Sequence, residues 1–257
     1  LKCAILTLSL LFGEEMVVLI KTIADLHTHT SVSQHAYSSL DEIARSAKEK
    51  GFTAVGITDH GPGMMDGAIR HHFYCLKGLP GRVHGLRLVK GAEVNIKDYQ
   101  GALDLDEEVL GQLDFVIASY HVEAIDPASS KLHTEGWLRV IANPHVDCLG
   151  HCGNPVFACD YEAVVRACRE YGKIVEINSS SFRVRQGSHE SCRRIAELCM
   201  DCGVPVLVSS DAHSCYSVGD HNDAIALLES IGFPEELVIN GDSGRLERYL
   251  DGLRDKG

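Results

Sequence analysis

Short apolar runs rich in β-branched residues recur along the chain at a spacing of about 30 residues. The seven runs are residues 23–26, 54–58, 88–92, 115–119, 146–150, 174–177 and 206–209. Continuously apolar runs of this length are typical of parallel strands that are buried on both faces. The pattern therefore predicts seven parallel strands.

The segments between these runs carry the start and stop signals of helices. Ser39 and Glu42 have the spacing of a capping box, and Gly51 follows the last turn of the helix they would begin. Asp160 is a typical N-cap residue for a helix that would end at Gly172. Helical spacing also marks residues 190–202 and 222–231. Helices are thus expected to alternate with the strands.

Seven strand–helix units in one chain predict an α/β fold, a single-domain TIM-like (β/α)7 barrel. An open, doubly wound sheet is the alternative, because the spacing of strands does not report whether the sheet closes on itself. No linker rich in Pro, Gly and Ser divides the chain. Two stretches dense in Gly and Pro, residues 61–67 and 78–85, are expected to form long loops at the mouth of a site.

The first residues are treated separately from the barrel. Residues 4–12 form an apolar run that is too short to span a bilayer, and no cleavage site of small residues follows it. We interpret residues 1–15 as an upstream or non-native extension ahead of a natural start at Met16, and residues 16–257 as the barrel domain. No other segment is expected to cross a membrane.

Cysteine content indicates a reducing compartment. Ten cysteines in 257 residues are too few for a disulfide scaffold, and several fall within apolar or helical stretches. Cys199 and Cys202 form one C-x-x-C pair, but no second pair lies at zinc-ribbon spacing. Reduced thiols in a cytoplasmic protein are therefore expected.

The overall composition is that of a soluble globular protein, with 45% hydrophobic and 23% charged residues. The formal net charge of −12 argues against binding nucleic acid or acidic membranes through bulk charge. Histidine stands out, with 14 residues in the chain. Because imidazole is the commonest protein ligand for transition metals, the positions of these histidines matter.

Six of the seven predicted strands end in a histidine or a carboxylate, at the face where barrel enzymes build active sites. His27 and His29 are two residues apart, so in an extended segment both side chains point to the same side. Asp211 and His213 repeat that spacing after the last strand. Neutral imidazoles with a few carboxylates suit zinc, iron or manganese better than calcium. The sequence therefore predicts a transition-metal site.

Five separated motifs resemble the signatures of the polymerase and histidinol phosphatase (PHP) superfamily, and within it those of the YcdX-like phosphatases. They are D-L-H-T-H-T at 25–30, T-D-H-G-P at 58–62, Glu93 within G-A-E-V-N, H-C-G-N-P at 151–155 and S-D-A-H at 210–213. The resemblance extends from about residue 23 to residue 253. It implies that the barrel is a distorted (β/α)7 barrel.

The resemblance also implies a site for three divalent ions, with zinc as the first expectation and manganese or iron as alternatives. It assigns one ion to His27, His29, Glu93 and Asp211, a second to Glu93, His121 and His151, and a third to His35, His60 and His213. Three such ions and two carboxylates would leave a net charge of about +4, which suits a phosphate dianion. Cys152 stands where the family pattern has proline. A thiol there is able to bind a metal or to oxidise, but the resemblance does not require it, so Cys152 is left out of the ligand set.

The implied activity is hydrolysis of small phosphate monoesters by a metal-activated water. Asp59 is expected to orient a ligand imidazole or to handle protons. Arg183 and Arg185 are expected to clamp the phosphoryl group, with solvated loop charges as the alternative interpretation. A small phosphorylated molecule is thus the expected partner, whereas nucleic acid and membrane are not. The oligomeric state is not readable from the sequence.

Other functions compatible with the same residues are retained as alternatives. Within the superfamily they are a histidinol phosphatase, a phosphodiesterase or exonuclease, and a non-catalytic metal-binding module. An amidohydrolase on a related barrel would usually carry a carboxylated lysine between its metals. Here Glu93 holds that position, and Lys90 comes too early on its strand to replace it.

Overall fold

The computed structural model describes residues 19–254, so the predicted extension of residues 1–15 lies outside the described part of the chain. Seven parallel strands follow one another in chain order, and an eighth, short strand pairs antiparallel with one of them. The strands are β1 (Ala24–Asp25), β2 (Ala54–Ile57), β3 (Arg82–Val83), β4 (Leu86–Asn95), β5 (Phe115–Ser119), β6 (Cys148–Leu149), β7 (Ile174–Asn178) and β8 (Val206–Ser209). The antiparallel strand is β3, which pairs with β4.

Helices alternate with the parallel strands as the sequence predicts. They are α1 (Leu40–Glu49), α2 (Arg70–Cys75), α3 (Glu107–Leu110), α4 (Ser130–Ile141), α5 (Tyr161–Tyr171), α6 (Ser181–Val184), α7 (Ser188–Cys202), α8 (Asn222–Ser230) and α9 (Ser243–Arg254). The predicted capping box is present at α1, where the Ser39 and Glu42 side chains each accept from the other residue's backbone N–H. Gly172 ends α5 in the left-handed conformation that glycine tolerates best.

The sheet nearly closes between its first and last strands. Beyond β1 and β8 a parallel bridge joins Thr28 to Ala212, and the His29 amide donates to the Ala212 carbonyl at 2.8 Å. The barrel predicted from the strand spacing is therefore confirmed, and the open sheet is not formed.

A buried asparagine completes the join at the other end of these two strands. The Asn240 side-chain amide donates to the carbonyls of Ala24 and Val208, both at 2.8 Å. Its side-chain oxygen accepts from the Val208 amide at 3.2 Å. One side chain thus supplies the hydrogen bonds that a direct pairing of β1 with β8 would have made.

The barrel interior is filled by apolar side chains and sealed at its amino-terminal end by α9. Leu246 and Leu250 of this helix pack in the same buried cluster as Leu26, Phe115 and Leu207 from the strands. A second, larger apolar cluster lies between the strands and the surrounding helices. The packed interior leaves the carboxyl ends of the strands as the place for polar groups.

One of the two loops predicted to lie at the mouth of a site lies elsewhere. Residues 78–85 do not lie at the carboxyl ends of the strands, because they lead into the amino end of β4 and include β3. Near this loop Arg87 forms ion pairs with Glu247 and Asp251 of α9. The other glycine-rich stretch, residues 61–67, directly follows β2 at the carboxyl end.

Neither a membrane helix nor a disulfide is found in the described part of the chain. None of the helices between residues 19 and 254 combines the length and apolar character needed to cross a bilayer. The nine cysteines in this range are free thiols, including both members of the C-x-x-C pair.

Candidate metal centre

The structure brings four of the predicted ligands together at the carboxyl ends of the strands. His27, His29, Glu93 and Asp211 each place a ligand atom within 4.8 Å of the others, and all four are buried. His27 Nε2 lies 3.3 Å from Glu93 Oε2, and His29 Nε2 lies 3.1 Å from Asp211 Oδ1. This is the first of the three groups that the resemblance implies.

The second group gathers at the other oxygen of the same glutamate. Glu93 Oε1 lies 2.9 Å from His151 Nε2 and 3.3 Å from His121 Nε2. The two imidazole nitrogens are 3.2 Å apart. Glu93 therefore faces one histidine group with each oxygen, which is the placement required of a carboxylate that bridges two cations.

The third group is present, but one of its members also lies close to the first two groups. The Nε2 atoms of His35 and His213 lie 2.9 Å apart, and the His60 ring centre is 5.0 Å from that of His35. His60 also approaches the first two groups, since its Nδ1 lies 2.8 Å from Glu93 Oε2. Its ligand atoms fall within 4.8 Å of those of His29 and His213.

Two of these residues occupy a backbone conformation that is uncommon for side chains with a Cβ atom. The φ angles are 28° at His151 and 55° at Asp211. Such conformations carry a cost and persist where the surrounding structure fixes them, often at functional sites. At His151 the backbone amide donates to Glu176 Oε2 at 2.6 Å, which helps to hold the turn.

Several buried polar atoms in the cluster lack a hydrogen bond. They are His27 Nε2, His29 Nδ1, His60 Nδ1 and Glu93 Oε2. The last two lie 2.8 Å apart, but this contact is not aligned as a hydrogen bond. Buried polar atoms are nearly always paired, so four unpaired ones in a single cluster point to a further partner. Imidazole nitrogens and carboxylate oxygens are the donors that zinc, manganese and iron accept. The residues present therefore fit divalent cations.

Metal binding requires neutral imidazoles and ionised carboxylates, and the pKa shifts divide the predicted ligands in this respect. Burial lowers the pKa of His29 to about 3 and that of His151 to about 4, so both rings are neutral near pH 7. Burial alone would lower the pKa of His27 and of His60, but the neighbouring carboxylates raise both, so these two rings must release a proton when a cation binds. Burial alone would raise the pKa of Glu93, but the neighbouring His27 lowers it well below its ordinary value.

Glu176 on β7 supports the cluster, and the sequence interpretation missed it. Its Oε1 accepts from His27 Nδ1 at 2.5 Å and from the Ser209 hydroxyl at 2.6 Å. Its Oε2 accepts from the backbone amide of His151. The available signal was a single carboxylate within an otherwise apolar buried strand, a position where a charge requires partners.

We expect Glu176→Gln to weaken metal affinity by about 10- to 100-fold, the usual effect of losing a partner that orients a ligand imidazole. The reason is that the NH2 group of glutamine cannot accept a hydrogen bond. It would face either His27 and Ser209 or the His151 backbone amide, which now donate to a carboxylate oxygen. Competition titration against a chelating dye measures the effect, with exposed Glu170→Gln on α5 as the matched control. Equal affinities in the two variants would contradict this role.

Two other ligand imidazoles are also held by residues outside the predicted set. His121 Nδ1 lies 2.7 Å from the Asn95 side-chain oxygen, and His35 Nδ1 lies 2.7 Å from Asp66 Oδ2. These contacts leave Nε2 of each ring directed at the cluster. Asn95 stood in the same motif as Glu93, two residues further along, so its position was available from the sequence.

Asp59 lies beside the cluster but faces the loop that follows β1. It accepts hydrogen bonds at 2.8 Å from the Thr30 amide, the Thr30 hydroxyl and the Ser33 hydroxyl. Ser33 Oγ in turn accepts from the His60 amide at 3.1 Å. This arrangement can orient His60; direct proton handling by Asp59 stays a prediction.

Of the two predicted arginines, one lines the cavity and the other does not. Arg185 lines the cavity at the cluster, with Nη2 3.4 Å from Asp211 Oδ2 and Nη1 donating to Ser181 Oγ at 3.0 Å. Arg183 is half exposed, pairs with Asp220 at 2.6 Å and does not line the cavity. Arg185 therefore lies where a ligand in the cavity would meet it, whereas Arg183 forms an ion pair outside the cavity; a phosphate-clamping role for either stays a prediction.

Cys152 lies in the apolar core. Its side chain is 4% exposed, and burial raises the pKa of its thiol well above the ordinary value. Among residues 19–254, no candidate metal group includes it. The structure thus gives no support to Cys152 as a metal ligand.

A cavity of about 560 Å³ opens above the cluster. Its inner part is lined by five predicted ligands, namely His35, His60, His121, Asp211 and His213. Exposed residues of the loops that follow the strands also line it, and they are both apolar and polar, namely Val122, Glu123, Val156, Val184 and Gln186. A small molecule entering the cavity would therefore meet the cluster at its inner end.

Comparisons with known proteins identify a family and a shared fold. The family described as PHP domain matches residues 25–180. A protein of Acetivibrio thermocellus named probable phosphatase is 43% identical over 230 residues, covering 90% of this chain and 95% of its own. One of Caldanaerobacter subterraneus with the same description is 44% identical over 237 residues, covering 91% and 93%.

A solved structure shares the fold at low sequence identity. It is histidinol phosphate phosphatase from Lactococcus lactis, complexed with zinc, L-histidinol and phosphate. The TM-score is 0.58 at 16% identity, and the match covers 83% of this chain and 95% of the other.

Proposed function

The chain belongs to the PHP domain family, and from this premise we propose that it is a metal-dependent phosphatase acting on small phosphate monoesters. The observation that carries the proposal is the position of Glu93, whose two oxygens face two different histidine groups. His60 and His121, one facing each oxygen, also line the open cavity. The zinc and phosphate of the related structure support the same chemistry.

The residues that would hold the cations are the nine of the cluster. They are His27, His29, His35, His60, Glu93, His121, His151, Asp211 and His213. Divalent ions, when bound, lower the pKa of a coordinated water towards about 7 and screen the charge of the phosphoryl oxygens. Three ions are proposed. The donor set accepts zinc, manganese or iron, and zinc is preferred because the related structure contains it.

The chain's own residues bind and orient the ester for hydrolysis. In the overall reaction the P–O bond to the alcohol breaks and water adds to phosphorus, which yields the alcohol and inorganic phosphate. Arg185 offers a planar pair of N–H donors to the phosphoryl oxygens at the cavity wall. Asp59, through Ser33, holds the backbone of His60 so that its ring keeps its place in the cluster.

The proposal is tested by elemental analysis of the purified protein together with a phosphate-release screen. The screen includes sugar phosphates, nucleotides, histidinol phosphate and p-nitrophenyl phosphate, because the related structure contains histidinol. At least two metal ions per chain and release of phosphate from monoesters are expected. Fewer than two ions and no release would contradict the enzyme and favour a non-catalytic module.

A matched pair of arginine variants tests the phosphate clamp. We expect Arg185→Lys to lower kcat/KM by about tenfold or more, because a charged hydrogen bond is worth about 1.5–3 kcal/mol and lysine cannot make a bidentate contact. Arg183→Lys, which alters the residue paired with Asp220, should change kcat/KM by less than about twofold. Steady-state kinetics with one ester measures both, and similar losses in the two variants would exclude a specific role for Arg185.

A further inference from the structure

A chain of three polar side chains leads from the ligand His121 away from the metal centre. Its second member is Asn95 at the end of β4, and its third is Asp104. An antiparallel bridge between Ile96 and Leu103 turns the backbone after β4 and brings Asp104 back beside Asn95. Asn95 is fully buried and Asp104 is half-buried, so the contacts between them are largely protected from water.

The contacts of Asp104 fix which way the Asn95 amide group faces. Asn95 Nδ2 donates to Asp104 Oδ2 at 2.6 Å, and the backbone amide of Asn95 donates to Asp104 Oδ1 at 2.9 Å. Nδ2 also donates to the Gly61 carbonyl at 3.3 Å. Turning the amide round would place its oxygen against a carboxylate oxygen and a carbonyl oxygen, and none of these three atoms can donate. The NH2 group of Asn95 therefore faces Asp104, and its oxygen faces His121.

The fixed amide determines where His121 carries its hydrogen. Asn95 Oδ1 lies 2.7 Å from His121 Nδ1, and an amide oxygen can only accept. His121 must therefore hold a hydrogen on Nδ1, which leaves Nε2 of the neutral ring with its lone pair. Nε2 is the atom that lies 3.3 Å from Glu93 Oε1. The ring is thus held in the tautomer that can bind a cation beside Glu93.

We propose that Asp104 is a positioning residue of the metal centre: by fixing the Asn95 amide, it holds His121 in the tautomer whose Nε2 can bind a cation. The inference rests on the metal centre of the proposed function and assigns a role to a residue that acts through Asn95. Carboxylates that contact a ligand imidazole directly are common supports of metal sites. Here a neutral amide stands between the carboxylate and the ring.

Asp104 also docks the glycine-rich loop that follows β2, and the test must separate this structural role from positioning. Its Oδ2 accepts from the Gly63 amide at 2.7 Å, and a Cβ atom on Gly61 would collide with the same oxygen. Loss of this docking would disturb the loop, but it would not by itself move the hydrogen of His121 from one ring nitrogen to the other. The tautomer of His121 therefore separates the two roles.

The tautomer is measured by long-range proton–nitrogen NMR spectra of the histidine rings in the metal-free protein, with His121 assigned by comparison with His121→Gln. Burial raises the pKa of the Asp104 carboxyl above its ordinary value, so the spectra are recorded at pH 8, where ionisation is favoured. We expect wild-type His121 to carry hydrogen on Nδ1. In Asp104→Ala the Asn95 amide is free to turn, and a population of His121 without hydrogen on Nδ1 should appear. Asp98→Ala removes a carboxylate that accepts two backbone amides in the same turn, and this matched control should keep the wild-type tautomer.

Competition titration with zinc measures the consequence for the metal centre. The binding step that is lost in His121→Gln should be weakened at least about tenfold in Asp104→Ala, the lower end of the usual effect of losing support for a ligand imidazole. The double variant Asn95→Asp/Asp104→Asn exchanges the amide and the carboxylate, so His121 Nδ1 again faces an oxygen that accepts. It should restore the hydrogen on Nδ1 and return the zinc affinity to within about threefold of wild type, although it gives up the contacts with Gly61 and Gly63.

A role of Asp104 in folding alone predicts that the double variant binds zinc no better than Asp104→Ala. That result would overturn the inference, and so would an unchanged tautomer and zinc step in Asp104→Ala. Should Asp104→Ala fail to fold, the wild-type spectrum decides, because wild-type His121 without hydrogen on Nδ1 would also overturn it. Zinc binding with the expected tautomers but no phosphate release from any ester of the screen would instead overturn the proposed function and leave this inference in place.

Discussion

Glu93→Gln should lower phosphatase kcat/KM by about 10³-fold or more and remove most of the bound metal. Glu93 faces His27 with one oxygen and His151 with the other, so it is placed to serve two cations at once. Its replacement removes one negative charge and one acceptor oxygen where charge stabilisation is worth several kcal/mol, and each 1.4 kcal/mol is a factor of about ten. Glutamine keeps the shape and can still accept from the Ser119 hydroxyl, so folding should be retained.

The effect is measured by metal content per chain and by kinetics on the best ester from the screen. Glu135→Gln, at a surface residue of α4 paired only weakly with Lys131 at 3.8 Å, is the matched control and should change neither quantity. Circular dichroism establishes that both variants are folded. A folded Glu93→Gln protein with full metal content and an unchanged rate would contradict the assignment of Glu93.

Asn240→Ala should lower the free energy of unfolding by about 3–5 kcal/mol. The side chain is fully buried and pairs with one amide and two carbonyls on β1 and β8. Its removal leaves those groups without partners, and each unsatisfied buried group costs about 1–3 kcal/mol.

Urea denaturation followed by circular dichroism measures the change from the midpoint and slope of unfolding. Asn222→Ala is the matched control, because Asn222 is exposed at the first turn of α8 and should change stability by less than about 0.5 kcal/mol. A loss below about 1 kcal/mol in Asn240→Ala would show that the barrel closes without this side chain.

The strands were predictable where burial on both faces leaves an uninterrupted apolar run. β5 and β8 begin and end at the predicted residues, 115–119 and 206–209. Closure of the barrel was not predictable in the same way. It depends on the bridge between Thr28 and Ala212 and on one amide side chain, Asn240, in a short helical turn after α8. No periodic pattern marks these residues.

The candidate ligands could be placed from the sequence because strand ends in a parallel barrel meet on one face. Their supporting residues could not, because a partner such as Glu176 is distant in sequence from His27 and is recognised only when the fold joins them. The orientation of the two arginine side chains was also not predictable from the sequence. Arg183 lies in the short helix α6 and Arg185 directly after it, so a separation of two residues turns their side chains to different sides rather than to one.

The seal that α9 forms has a consequence for the order of events in the proposed reaction. With Leu246 and Leu250 packed into the amino-terminal end of the barrel, both products must leave by the opening through which the ester entered. In the proposed reaction the alcohol would lie nearer to that opening and the phosphate at the inner end. We therefore expect the alcohol to leave first and the phosphate last, and we expect phosphate to compete with the ester for the free protein.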